Sequence, residues 1–266
     1  MSELRKTYLC DGTGNPIGSL GGAINVHSAG VHNYPIDESF HQHTATSTTL
    51  AVAAAIGDIA VTVVSSAGIV AGDYIQLISS SLIESTYTRV LSVVGNVINI
   101  NRPIGNIHPI GETVVKIIID ISNSAGSMAS PQSYKITPAS GQVWHIEQLV
   151  MQMSHATAGY IDSFGGIPAL TNGCVIRKYN ADGTFATFTI WQSNADIYTD
   201  FTNIQFIDRA GGGTTYGTLG VGSFADIGVT IKLDGTLGEY IEILIQDDIT
   251  ALSLFQIKAQ GHLETA

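Results

Sequence analysis

The chain has 266 residues, of which 44% are hydrophobic but only 12% charged, and its formal net charge is −11 at pH 7. The length suits one large β domain or two smaller ones, while the acidic balance, with no run of Lys or Arg, excludes a protein that grips nucleic acid through its phosphates or reads its sequence from a basic stripe. The opening MSELRKTYLCDGTGNP lacks the apolar core of a signal peptide and no stretch is apolar for long enough to insert in a bilayer, so a product made soluble in a cytoplasm is expected.

Residues 1–45 are rich in Gly, His and Asn and show little periodicity, which predicts an extended N-terminal arm. Within it, INVHSAGVHNYPIDESFHQHT (24–44) holds His27, His32, His41 and His43, half of the eight histidines of the chain. On an extended backbone His41 and His43 project to the same side and could offer two imidazoles to one ion, with Asp37 and Glu38 nearby. A metal site needs three or four converging ligands, however, and an extended arm cannot gather them from itself. No metal is therefore expected, and His27, His32, Tyr34, Pro35, Phe40, His41 and His43 are assigned as amphipathic groups that pack on a neighbouring subunit. Such an arm would gain its order on assembly, with Pro16 and Pro35 fixing φ in advance.

Residues 46–120 form a string of short strands: TTLAVAA, DIAVTVV, DYIQLIS, STYTRVLSVV, NVINI and ETVVKII. Gly95-Asn96 between VLSVV and VINI marks a hairpin. The expectation is a small β-barrel-like module, followed by a small, polar linker at 121–132. From 133 to 266 at least seven more strand candidates follow, separated by turn signals such as Asp182-Gly183 and the DGTLG run from Asp234, as in a β-sandwich of jelly-roll-like type. HIEQLVMQM (145–153) is the nearest approach to a helical pattern, but its length and its Val143 and Trp144 neighbours favour a buried strand. The fold class is all-β.

Signals for chemistry are weak. With Cys10 and Cys174 alone, neither a disulfide framework nor a multi-cysteine zinc site can be built. No GxSxG elbow, zinc-protease helix or phosphate loop ending in Lys is present, and the RAGGGTTYG stretch from Arg209 reads as a surface loop. Asp247 and Asp248 would point to opposite faces of a strand, so they are expected to end it and cap the following turn. Asp196 and Asp200 lack the ligand rhythm of a calcium loop, and Trp144 and Trp191 suit a sandwich core or a subunit contact better than a sugar platform. No catalytic residue and no cofactor are assigned.

A resemblance adds to this. Ala67-Gly68-Ile69-Val70-Ala71-Gly72-Asp73-Tyr74-Ile75-Gln76-Leu77, then Glu84, the run Val93 to Ile100, Pro103-Ile104, His108 and Gly111, resembles a small β module recurrent in virion proteins of tailed bacteriophages and some bacterial surface proteins. With GGAINVHSAGVHNYPIDESFHQHT, AGSMASPQSYKI, VWHIEQLVMQMSHA, ALTNGCVIRKYN, FTIWQSNADI and LGEYIEILIQDDITALSLFQIKAQGH, nearly the whole chain resembles a family of tailed-phage virion structural proteins. The resemblance implies a non-enzymatic subunit of the neck or collar, tail or baseplate, present as a symmetric homo-oligomer among other virion proteins. The alternatives are an outward-facing host-attachment or glycan-binding protein, or a head decoration protein.

Overall fold

The computed structural model describes residues 32–79, 86–155, 170–192, 203–208, 216–223 and 230–265. Within them the protein is all-β and every strand pair is antiparallel. In chain order the strands are β1 (His32–Ser39), β2 (Gln42–Thr49), β3 (Ala60–Thr62), β4 (Tyr74–Ile78), β5 (Thr86–Val94), β6 (Val97–Ile100), β7 (Thr113–Ile118) and β8 (Gln132–Ile136). They continue as β9 (Gln142–His155), β10 (Cys174–Tyr179), β11 (Phe185–Trp191), β12 (Asn203–Asp208), β13 (Tyr216–Ser223), β14 (Ile231–Asp234), β15 (Tyr240–Ile245) and β16 (Leu252–Thr265). Among the described residues no helix is long and apolar enough to cross a membrane.

The small unit is one sheet in the order β2-β7-β4-β5-β6-β3. Alternation along β4 sends Ile75 and Leu77 to a core shared with Leu50, Val61, Val90, Ile98 and Val114. The hairpin expected at Gly95-Asn96 joins β5 to β6 with Val94 opposite Val97, and Gly95 sits at φ 58°, where a Cβ would be strained. The path is open: its end strands meet through the single Leu50–Val63 bridge. Strand β7 buries apolar side chains on both faces, because besides Val114 in that core its second face, Val115 and Ile117, packs with Ile119, Tyr74, Ile78 and Tyr87. From this second face Tyr87 reaches β1, donating its hydroxyl to Asp37 O at 3.0 Å and accepting from Ser39 N at 3.1 Å. Burial, first of all, pushes the Tyr87 phenol up to about 12, so it stays a donor.

The larger unit faces two sheets across one core. One sheet runs β1-β16-β9-β13-β12, with β14 also on β9; the other runs β11-β10-β15-β8. Trp144, Met151, Phe255 and Ile257 from the first meet Tyr134, Ile176, Trp191, Ile241 and Ile243 from the second, each large apolar side chain contributing about 1.5–3 kcal/mol by leaving water. The segment 145–153 is part of strand β9, as its neighbours suggested. Cys174 is buried, and burial raises its thiol pKa, which keeps it protonated and inert.

Two segments differ from the sequence reading. Residues 32–45 are not an arm: β1 pairs with β16 along its length and β2 pairs with β7, so the chain crosses from one unit to the other at Ser39–His41. The expected arm over residues 1–31 lies outside the described residues. Residues 121–132 are not a loose tether either, since Ile121 is fully buried in the sandwich core and Asp120 accepts from the amides of Ser122 and Phe255 at 3.0 and 3.1 Å. Polar composition concealed this because the segment uses its hydroxyls internally, as in the 2.6 Å Ser124–Tyr134 hydrogen bond.

Candidate functional site

Several aspartates among the described residues are occupied with the backbone. Asp248 caps the turn after β15 by accepting from Thr250 N at 3.0 Å, as expected, and Asp247 accepts from the amides of Asn172 and Gly173 at 2.9 and 2.6 Å. Asp182 holds Thr184 and Asp234 holds Thr236 in the same manner. The hydrogen bonds from Thr184 and Thr250 keep Asp182 and Asp248 below the usual carboxylate range. Asp196, Asp200 and the loop at 209–215 lie outside the described residues, whereas Trp144 and Trp191 both belong to the core.

The crossing between the units creates a groove of about 580 Å³, lined by residues that include His41, His43, Gln76, Ser133, Lys135 and Thr137. Here His41 exchanges two backbone hydrogen bonds with Lys135, at 3.1 and 2.8 Å, fastening the crossing to β8. The His41 ring donates Nδ1–H to Ser39 O at 2.9 Å and stacks on His43, whose Nε2–H donates to Gln76 Oε1 at 2.8 Å. The two imidazoles thus lie together, as their spacing predicted, but each is held by a neutral acceptor of its own chain.

Burial holds the pKa of His41 below its ordinary value of 6.5, so the unfolded chain takes up its proton first as pH falls. The stability contributed by neutral His41 is complete above that value and is lost as pH drops toward the folded pKa. Unfolding free energy is therefore expected to fall between about pH 7.5 and pH 5, and His41→Asn to fall less steeply over the same range. Parallel slopes in urea titrations of the two proteins would remove His41 as the cause.

The other residues assigned to a neighbouring subunit divide. His32 and Tyr34 are in the backbone ladder of β1 and Pro35, exposed, stands opposite His262; His27 lies outside the described residues. Phe40 is a correction: it is fully buried in the sandwich core of its own chain and cannot serve a partner. As the first residue after β1, its side chain enters the core exactly where the strand ends, so no partner-facing surface is left to it.

A second cluster was missed by the sequence reading. Two His-x-Glu triplets, His145-Ile146-Glu147 on β9 and His262-Leu263-Glu264 on β16, lie on the outer face of the large sheet. His145 and His262 are cross-strand partners with rings stacked 4.9 Å apart at 9°. The register shifts at Gln260/Gly261, where Ile146 opposes Gly261 and Gln148 opposes Gln260, leaving Glu147 as the extra residue of a bulge. This turns Glu147 toward His262, Oε1 to Nδ1 being 2.8 Å. His145 Nδ1 is 3.3 Å from Thr230 Oγ1, and Glu264 Oε2 lies 3.4 Å from His145 Nε2. Gly261 is required at this place, because a Cβ there would overlap the carbonyl oxygen of His145. The visible signal was the repeated His-x-Glu at alternating positions of two strands.

With both sites described, the fold defines the chain as an all-β protein of two antiparallel units. No family model, curated protein or solved structure matches it.

Proposed function

We propose that this chain is a non-enzymatic structural subunit of a tailed-phage virion, of the neck or collar, tail or baseplate, and that it works as a symmetric homo-oligomer among other virion proteins. The small unit is then a barrel-like module opened at one seam, and the larger one a jelly-roll-like sandwich. The observation that carries the reading is the apolar surface of the small unit. Val52 and Ile56 on one side of the Ala54–His108 bridge, and Ile107 and Ile110 on the other, are each more than half exposed. Exposed Val and Ile side chains flanking one bridge in this way suit a surface buried on assembly. The use of Asp120, Asp182, Asp234, Asp247 and Asp248 as backbone caps fits a scaffold better than a hydrolytic carboxylate pair.

A second reading, an outward-facing glycan-binding protein, is supported by the aromatic terrace on the smaller sheet of the sandwich. Tyr179 stacks on Tyr240 at 4.6 Å and meets Phe185 at 5.3 Å, with Lys135 Nζ 4.6 Å above Tyr240 and Arg177 4.4 Å above Phe185. Light scattering on the full chain separates the two. The structural reading expects a discrete oligomer that shifts toward monomer in the surface variant I56S/I107S, with circular dichroism unchanged. A protein that stays monomeric at all concentrations, and binds a glycan array in a manner abolished by Tyr179→Ala, establishes the second reading instead.

A further inference from the structure

We propose that His145, His262 and Glu264 form a binding site for a transition-metal dication of the Zn²⁺ class on the outer face of the sandwich, with Glu147 holding the His262 ring from behind. The donor atoms of the three residues lie within 4.8 Å of one another. Donors around a tetrahedral zinc ion stand about 3.4 Å apart, as follows from bond lengths of about 2.1 Å, so side-chain rotation spans the difference. The rings now lie parallel, so binding requires a modest adjustment of their side chains toward a common point.

Three features distinguish this cluster from two casual ion pairs. Each ring has Nδ1 engaged by a group outside the site, the Glu147 carboxylate for His262 and the Thr230 hydroxyl for His145. That leaves Nε2 of both rings for the ion, and for His262 the acceptor carboxylate of Glu147 sets the Nδ1–H tautomer, the arrangement in which an outer carboxylate orients a metal-bound imidazole. Second, His145 Nε2 is buried and makes no hydrogen bond among the described residues, although the Glu264 carboxylate stands 3.4 Å away; an ion between them would satisfy both. Third, the strands that carry the donors are held by a bulge and by Gly261, so the geometry belongs to the sheet and not to a mobile loop. His262 and Glu264 are about one-third and two-fifths exposed, which leaves an approach from solvent and room for a water as fourth ligand. Lys232, opposite His145 on β14, is exposed, and solvent screens its charge. Two nitrogens and one carboxylate oxygen select Zn²⁺, Cu²⁺, Ni²⁺ or Co²⁺ over Ca²⁺ and Mg²⁺, which prefer oxygen ligands alone.

The test is calorimetric titration of the chelator-treated full chain with Zn²⁺, beside Ca²⁺ and Mg²⁺. The expected result is uptake of one Zn²⁺ per chain, unaffected by millimolar Ca²⁺ or Mg²⁺. Affinity should be lost in His145→Gln and in His262→Gln, weakened about tenfold or more in Glu147→Gln, and retained in His43→Gln, which tests the stacked pair in the groove. Because a histidine variant could disturb the sheet, Glu264→Gln, at a more exposed position, serves as a second probe, and Co²⁺ loading gives the visible absorption of a low-coordinate nitrogen and oxygen site. Failure to take up Zn²⁺, or uptake that survives both His145→Gln and Glu264→Gln, overturns the proposal.

Discussion

Deletion of residues 1–45 is expected to abolish cooperative unfolding of the chain, whereas deletion of residues 1–31 is expected to preserve it. The shorter deletion removes none of the described strands. The longer one removes β1 and the start of β2, and with them the edge of the large sheet, two core side chains, Ile36 and Phe40, and the double hydrogen bond from His41 to Lys135. It also leaves Tyr87 without Asp37 O and Ser39 N as partners in a partly buried place, which adds a desolvation cost of about 1–3 kcal/mol. Phe40→Ala alone is expected to lower the unfolding free energy by about 3–5 kcal/mol, because the ring is enclosed by a core that closes only in part over the void. Urea titration followed by tryptophan fluorescence measures all three, Trp144 and Trp191 both being core residues. A 1–45 deletion with an unaltered midpoint would show that the crossing strands are dispensable.

The second large effect is expected at Gly261→Ala. The new methyl group meets backbone on the facing strand, the carbonyl of His145, so no rotamer change can relieve it. Strand β16 must withdraw from β9 at the bulge, with a loss of about 1–3 kcal/mol and displacement of His262 from His145. Gly105→Ala is the control: nothing lies within 4 Å of a Cβ at Gly105, and its backbone is not left-handed. That substitution should be neutral or slightly stabilising through the unfolded chain. Equal midpoints for the two variants would show that the sheet tolerates the methyl group and that the close approach at the bulge is not a constraint.

The strands were legible wherever burial follows strict alternation. β4, β6, β14 and the turn at Gly95 are examples, since a sheet with one wet face writes its orientation into every second residue. β9 reads ambiguously for a physical reason. Its inward residues are Trp144 and Ile146, then Leu149, Met151 and Met153, so the parity changes across Glu147. An inserted residue in a strand imitates the uneven spacing of a helix face, and only the partner strand reveals which it is. β1 escaped because His, Asn, Pro and Asp are poor strand formers; it is an edge strand, and its place is set by β16, more than 200 residues later. The outer-face site had the same obscurity: His145 and His262 become neighbours only through that long-range register. By contrast, the pairing of His41 with His43 needed only local geometry, and it is present.

The antiparallel register of β1 and β16 sets His32 directly opposite Thr265. Traction applied at His32 and Thr265 would therefore peel this ladder one rung at a time, like a zip, instead of shearing all its rungs together. A chain loaded in that direction yields at low force, whereas one gripped through the exposed side chains of the small unit keeps the pair closed.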